Sequence, residues 1–215
     1  MDIQEIKGHI VKFLKDARAI ELYNEFSLQH ELGIYLRKVM KGYSIQFERN
    51  ISFFGYDDSL PSKCKWKEQE WVKKEIDIVI FNDKEKFAIE LKFPRNSASC
   101  LRRMFQFIED IRFLEQLKDA GFDGGCALVL VDDKNFYTKT GRESYDIYQY
   151  FRVKRKIEKD ENGINNPYDE KPSKVYINGS YEIKWCKEIN FCGRDKYNGE
   201  KESKNDEWAY YIVTF

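Results

Sequence analysis

Histidine is nearly absent from this chain: only His9 and His30 occur, too few for an ordinary zinc site. Paired cysteine is missing too. Cys64, Cys100, Cys126, Cys186 and Cys192 are odd in number, with no CxxC pair and no regular spacing. That argues against a disulfide framework and for reduced thiols in a cytoplasmic protein. No apolar run is long enough to cross a bilayer, so no membrane partner is expected. The opening stretch MDIQEIKGHIVKFLKDA carries charges throughout and lacks the apolar centre of a signal peptide. Neither sign of charge dominates, with 37 Lys and Arg against 37 Asp and Glu. A uniformly basic nucleic-acid coater is therefore disfavoured, and any DNA contact must be confined to a patch. There are no internal repeats.

What is present suits one folded domain. The 215 residues are 42% hydrophobic, enough for a core of their own, and 16% aromatic, which favours sheet structure. Ile3, Ile6, Ile10, Phe13, Leu14 and Ala17 recur at helical spacing. Ser27 is the expected cap of a second helix, with Leu28, Leu32, Tyr35, Leu36 and Val39 as its stripe and Gly42 as its stop. Residues 43–54, 76–81 and 87–93 read as strands, the last two joined by a short turn at Asn82-Asp83. A polar stretch with Pro61 and a Lys/Glu-rich run at 63–75 separate the first strand from the second. Ser99 is the expected cap of a long helix reaching Asp119, with Leu101, Met104, Phe105, Ile108, Ile111 and Leu114 as its stripe and Gly121 at its end. The run CALVLV at 126–131 has the look of a strand covered on both faces, parallel to an earlier one. Beyond it, a short helix is expected within 144–156, a hairpin at 175–185 turning on Asn178-Gly179, and a final strand at 207–215. Long polar loops are expected at 156–174 and 195–206. The fold class is α/β, with a core at about 27–131 and a C-terminal elaboration at 132–215.

Charge inside two of these strands carries the functional reading. Side chains alternate across a strand. Phe87, Ile89, Leu91 and Phe93 share one face, leaving Ala88, Glu90 and Lys92 on the other. Ile76, Ile78 and Ile80 likewise leave Glu75, Asp77 and Val79 opposite. If the two apolar faces share a core, Asp77, Glu90 and Lys92 project together. Such a group is costly unless its charges pair or bind an ion. Two carboxylates and a spare carbonyl suit Mg²⁺. The neighbouring ammonium can position a water and stabilise charge as a phosphate is attacked. An exposed sheet face with ordinary salt bridges is the alternative. Glu31 falls on or beside the buried helical stripe and needs a partner there, unless it is a boundary residue reaching water.

This arrangement resembles the PD-(D/E)xK nuclease superfamily, which includes many type II restriction enzymes and repair nucleases. Glu31, Asp77 and Glu90-Leu91-Lys92 match its pattern of a helical Glu, a strand Asp and a Glu-x-Lys, in order and in expected element. Ile76 stands where the family often has Pro. The resemblance covers residues of about 27–131. It implies a restriction-endonuclease-like αβββαβ core, a mixed sheet flanked by helices, with a β-rich C-terminal extension. It implies that Asp77, Glu90 and the main-chain carbonyl of Leu91 hold Mg²⁺, for which Mn²⁺ can substitute. Lys92 would orient or deprotonate the attacking water, and Glu31 would support the metal.

The expected function is then a metal-dependent endonuclease acting on DNA, in restriction or mobile-element defence by family analogy. A homodimer would place two sites on a duplex. The alternative is a non-cleaving nucleic-acid-binding or protein-interaction module of the same fold. Gln106 and Asp110, four apart on one helix face, are candidate supporting residues, with a plain polar helix face as the alternative. Arg95, Arg102 and Arg103 are candidate phosphate contacts. Arg152, Lys154, Arg155 and Lys156 form a second basic cluster, weighed against an ordinary solvated face.

Overall fold

The computed structural model describes residues 1–16, 22–56, 70–139, 141, 146–159, 162–167, 173–189 and 208–215. Its elements follow the expected order. Two helices, α1 (Ile3–Asp16) and α2 (Glu25–Val39), precede three strands, β1 (Ser44–Asn50), β2 (Glu75–Phe81) and β3 (Lys86–Lys92). A long helix, α3 (Cys100–Asp119), then leads to β4 (Gly124–Val131). The remainder supplies four two-residue strands, β5 (Lys156–Ile157), β6 (Ile164–Asn165), β7 (Lys174–Val175) and β8 (Tyr181–Glu182), and a closing strand, β9 (Ala209–Thr214).

The main sheet runs β1-β2-β3-β4-β9. It is mixed: β3 and β4 are parallel, and the other neighbours are antiparallel. The parallel pair is joined through α3, as a crossover requires. Each face of the sheet builds a core. Ile78, Ile80, Phe87, Ile89, Leu91 and Phe93 pack with α1 and α2. Val79, Ala88, Ala127 and Val129 pack with α3 and the C-terminal segments. Every residue of β4 is buried, which is why its sequence is apolar without alternation. Gly33 lets α2 close on β1, because a Cβ there would lie 2.1 Å from the Phe47 ring. No helix among the described residues is long and apolar enough to cross a membrane.

Several boundaries differ from those expected. The cap of α2 is Asn24, whose side chain accepts from the Ser27 amide while Ser27 Oγ accepts from the Asn24 amide. Ser27 is thus the third residue of a capping box and not the cap itself. Val39, at the expected end of the stripe, is exposed. The first strand stops at Asn50 and continues as a 3-10 turn, Ile51–Phe54, closed by Gly55. Ser99 does precede α3, but at φ 55° its hydroxyl makes no capping bond. The short helix expected within 144–156 is a turn at Asp146–Tyr148 that widens into a π-helical stretch, Gln149–Val153.

The hairpin at 175–185 does not form. Its first arm, β7, pairs with β6, and its second, β8, pairs with β5. Asn178-Gly179 instead presents its backbone to Glu115 on α3. The Glu115 carboxylate accepts from the Asn178 amide at 3.0 Å, the Gly179 amide at 2.7 Å and the Tyr181 hydroxyl at 2.7 Å. A buried acidic side chain thus gathers the C-terminal segment onto the core, which local turn preferences do not encode. The final strand is β9, antiparallel to β4. Cys100 and Cys126 are buried free thiols, and Cys186 is half-buried. Ala17, Pro61, Cys64, Cys192, most of the 63–75 run, the 195–206 loop and parts of 156–174 lie outside the described residues.

Candidate active site

β2 and β3 are held together at their turn and part at the other end. Their ladder runs from Phe81–Lys86 to Ile78–Ile89. Past that pair, β2 goes on pairing with β1 as far as Glu75, and β3 with β4 as far as Lys92. The sheet therefore forks where Asp77 and Glu90 face one another. Side chains take over the bonds that the ladder gives up. Asp77 Oδ2 accepts from the Leu91 amide at 2.7 Å, and Glu90 Oε1 accepts from the Asp77 amide at 3.4 Å. Backbone groups freed by the fork are satisfied, and both carboxylates are fixed in the process.

The charges lie on the α3 side of the sheet, so the exposed-face alternative does not hold. Glu90 is fully buried, and Asp110 of α3 is 4% exposed. Lys92 Nζ reaches Asp110 Oδ2 at 3.1 Å, the Leu91 carbonyl at 2.9 Å and Glu25 Oε1 at 3.8 Å. Lys73, just before β2, completes the group. Its ammonium bonds Glu90 Oε2 and lies 3.1 Å from Asp77 Oδ1 and 3.7 Å from Asp110 Oδ1. Asp110 thus spans the two lysines with its two oxygens.

Burial and neighbouring charge act against each other here. Burial, then the Asp77 charge, push the Glu90 carboxyl well above the ordinary range, against the pull of Lys73. Burial pushes Asp110 up to about 6, although both lysines oppose it. Burial works against the charge on Lys73, but Glu90, Asp110 and Asp77 outweigh it and raise its pKa. Lys92 is likewise raised, by Asp110, Asp77 and Glu25 against burial. Both ammoniums stay charged at neutral pH, while the buried carboxylates are under-compensated.

The expected residues are brought together unequally. Asp77, Glu90, Lys92 and Asp110 meet. Glu31 does not join them: it is half-exposed, and its Oε1 lies 3.3 Å from His30 Nδ1. Glu25 and Gln29, one turn apart, are the α2 residues that reach the site, and Glu31 points about 200° round the helix from Gln29. Glu25 accepts from the Phe93 amide at 3.0 Å. Gln29 donates to the Asp77 carbonyl at 2.7 Å and to Glu48, which stands at φ 47° between the Phe47–Ile78 and Arg49–Ile76 pairs. Gln106 stays outside the cluster, accepting from Arg103 at 3.4 Å.

Lys73, Glu25 and Gln29 were not legible as site residues. Lys73 shares the strand parity of Asp77, but it sits in a Lys-rich run that reads as solvated loop. Glu25 preceded the expected start of α2. Replacing Glu25 with Gln is expected to cost about 1–2 kcal/mol of stability, through its hydrogen bond to Phe93 and its pairing with Lys92. Glu31→Gln should stay within about 0.5 kcal/mol of the parent. Urea unfolding of the two variants measures both, and equal losses would mean that the α2 assignment is wrong.

A cleft of about 380 Å³ opens beside Lys92, lined by Glu25, Phe93, Arg95, Asn96 and Arg103 among others. Arg95 is braced by Asp132 at 2.9 Å and by the Tyr23 carbonyl, and lies over the Phe93 and Trp208 rings. Arg102 and Arg103 are exposed on the first turn of α3. The second basic cluster does not form one patch: Arg152 is buried, stacked on the Tyr148 ring at 3.7 Å and donating to Cys100 Sγ.

The donor set is one a hard divalent ion would use, since every acidic group is a carboxylate and the Leu91 carbonyl lies alongside. Among the described residues, however, no His, Cys, Asp and Glu side chains are grouped as direct metal ligands. Asp77, Glu90 and Asp110 are instead spaced around the Lys73 ammonium. The chemistry of the site fits Mg²⁺, and its present spacing fits a lysine.

Comparison with protein-family models, curated proteins and solved structures finds no match to this chain.

Proposed function

We propose that the chain is a metal-dependent endonuclease that hydrolyses phosphodiester bonds in DNA, built on the plan of the PD-(D/E)xK superfamily. One observation carries the reading: Asp77, Glu90 and Lys92 converge at the fork of the sheet, next to a cleft bearing Arg95 and Arg103. The order α2-β1-β2-β3-α3-β4 supports the same plan. Glu25, in place of Glu31, is then the acidic contribution of the helix.

Asp77, Glu90 and the Leu91 carbonyl would hold Mg²⁺ or Mn²⁺. The bound ion would supply positive charge for the phosphate and acidify a water. Lys92, raised in pKa and fixed by Asp110, orients that water and offsets negative charge on the phosphate oxygens. Arg95 and Arg103 hold the flanking phosphates, and the braced Arg95 does so without paying fresh side-chain entropy. Cutting both strands of a duplex would call for two copies of the site.

The direct test is incubation of supercoiled plasmid and single-stranded DNA with the protein and Mg²⁺ or Mn²⁺. Nicking should stop with chelator and with Asp77→Asn. The absence of cleavage on any substrate by folded protein would favour a second reading, a non-cleaving nucleic-acid-binding module. The position of Lys73 among the three carboxylates supports that alternative, because a purely structural ion cluster needs no metal.

A further inference from the structure

Lys73 holds the position a cation would take in this site, and it is a residue that no motif supplied. We propose that Lys73 is the resident counter-cation of a divalent-metal site, and that a divalent ion enters by displacing its ammonium from Asp77, Glu90 and Asp110. The inference rests on the metal-dependent reading above and adds regulation of the same site.

Geometry comes first. Carboxylates from β2, β3 and α3 converge on one nitrogen, at 3.1 Å for Asp77 and 3.7 Å for Asp110, with Glu90 in direct contact. Two arms of one hairpin and a helix from the following segment thus aim their oxygens at one point. Charge comes next. With all three carboxylates ionised against Lys73 and Lys92, one negative charge is left over, a state that burial of Glu90 and Asp110 opposes; Glu25 is 46% exposed and screened by water. Exchanging Lys73 for a divalent ion while Lys92 stays brings that balance to zero. A buried cluster gains from such neutrality, because uncompensated charge is costly in a low-dielectric interior.

Lys73 is also the member able to leave. It precedes β2, while Lys92 is a strand residue tied to the Leu91 carbonyl. Its side chain is 27% exposed, against 15% for Lys92 and 0% for Glu90. Its flexible stem lets the ammonium swing to solvent without disturbing the sheet.

The test is Mn²⁺ binding to the full chain without DNA, by calorimetry, for the wild type, Lys73→Gln, Lys73→Arg and Asp77→Asn. Lys73→Gln should bind about tenfold tighter or more, because the competitor is gone. Lys73→Arg keeps the competing charge and should gain nothing. Reductive methylation of Lys73, read by mass spectrometry, should be slow in metal-free wild type and faster at saturating Mn²⁺. If Lys73→Gln binds Mn²⁺ no tighter than the wild type, the displacement proposal is wrong, while binding that Asp77→Asn abolishes keeps the metal site. If no variant and no wild type binds Mn²⁺, both the proposal and the metal reading fall. Should Lys73→Gln prove unfolded, the wild-type labelling decides: equal protection with and without Mn²⁺ overturns displacement.

Discussion

For the proposed nuclease, replacing Lys92 with alanine is expected to slow DNA cleavage by about 10²–10⁴-fold, the range for loss of a group that handles a proton or charge in the transition state. The ammonium sits at the end of β3, between the Leu91 carbonyl and Asp110, where it faces both the carboxylate pair and the cleft. Arginine should not rescue it, because a planar guanidinium needs more room and spreads its charge differently. On the same reading DNA affinity should change far less than the rate, since Arg95 and Arg103 would make the flanking contacts. A structural cost accompanies the chemical one. Asp110 loses its nearest cation, and breaking a buried pair commonly costs about 3–5 kcal/mol. Here Lys73, 3.7 Å from the other Asp110 oxygen, should hold the loss toward the low end. Single-turnover cleavage at saturating protein, run beside a thermal melt, separates the effects. Cleavage within threefold of the wild type would reduce Lys92 to a structural counter-ion.

Glu115→Ala should destabilise the fold by about 3–5 kcal/mol, the range for removing one member of a buried charged pair, here one that also serves three half-buried donors. The Glu115 carboxylate is 6% exposed. Its loss leaves the Asn178 and Gly179 amides and the Tyr181 hydroxyl without their acceptor. Arg112, 1% exposed and 4.0 Å away, also loses a neighbouring charge, and burial already depresses its pKa to about 10. Glu115→Gln keeps one acceptor oxygen and should cost roughly half as much. Denaturant unfolding followed by tryptophan fluorescence gives the number. A loss below about 1 kcal/mol would mean that the 174–183 segment is held by its apolar contacts alone.

Much of the site was readable because strand alternation is a strict rule. Glu90 and Lys92 could only share a face, and the apolar residues between them fixed which face. Helical spacing within α3 offered Asp110 and Gln106 together, with a plain polar face as the alternative, and of the two only Asp110 meets the lysines. Lys73 was hidden for a physical reason: its role depends on where the chain enters β2, and nothing in a Lys-rich run marks one lysine as buried. Glu31 looked well placed because it flanks the buried stripe of Leu28, Leu32 and Leu36, but the sheet's fork lies on the other flank. With Asn24 as the cap, Glu25 enters the helix and the site-facing line passes through Gln29. Asn178-Gly179 misled because local turn preference is weak beside a buried carboxylate that takes up the same backbone amides.

The fork between β2 and β3 divides one hairpin into two provinces with different freedom to vary. At the closed end, Asn82 Oδ1 accepts from the Lys84 and Glu85 amides, and the ladder pairs Phe81 with Lys86 through main-chain bonds that are indifferent to side-chain identity. At the open end, side chains do the holding: Asp77 supports the Leu91 amide, and Glu90 supports the Asp77 amide. A change of side chain is therefore cheaper at the exposed turn residues Asp83 and Lys84 than at the tips, while Glu85, which accepts from the Met1 ammonium and the Tyr43 hydroxyl, is tied like the tips. A substitution at Asp77 takes away a charge and a strut together, so the fold itself depends on this carboxylate whatever the site does.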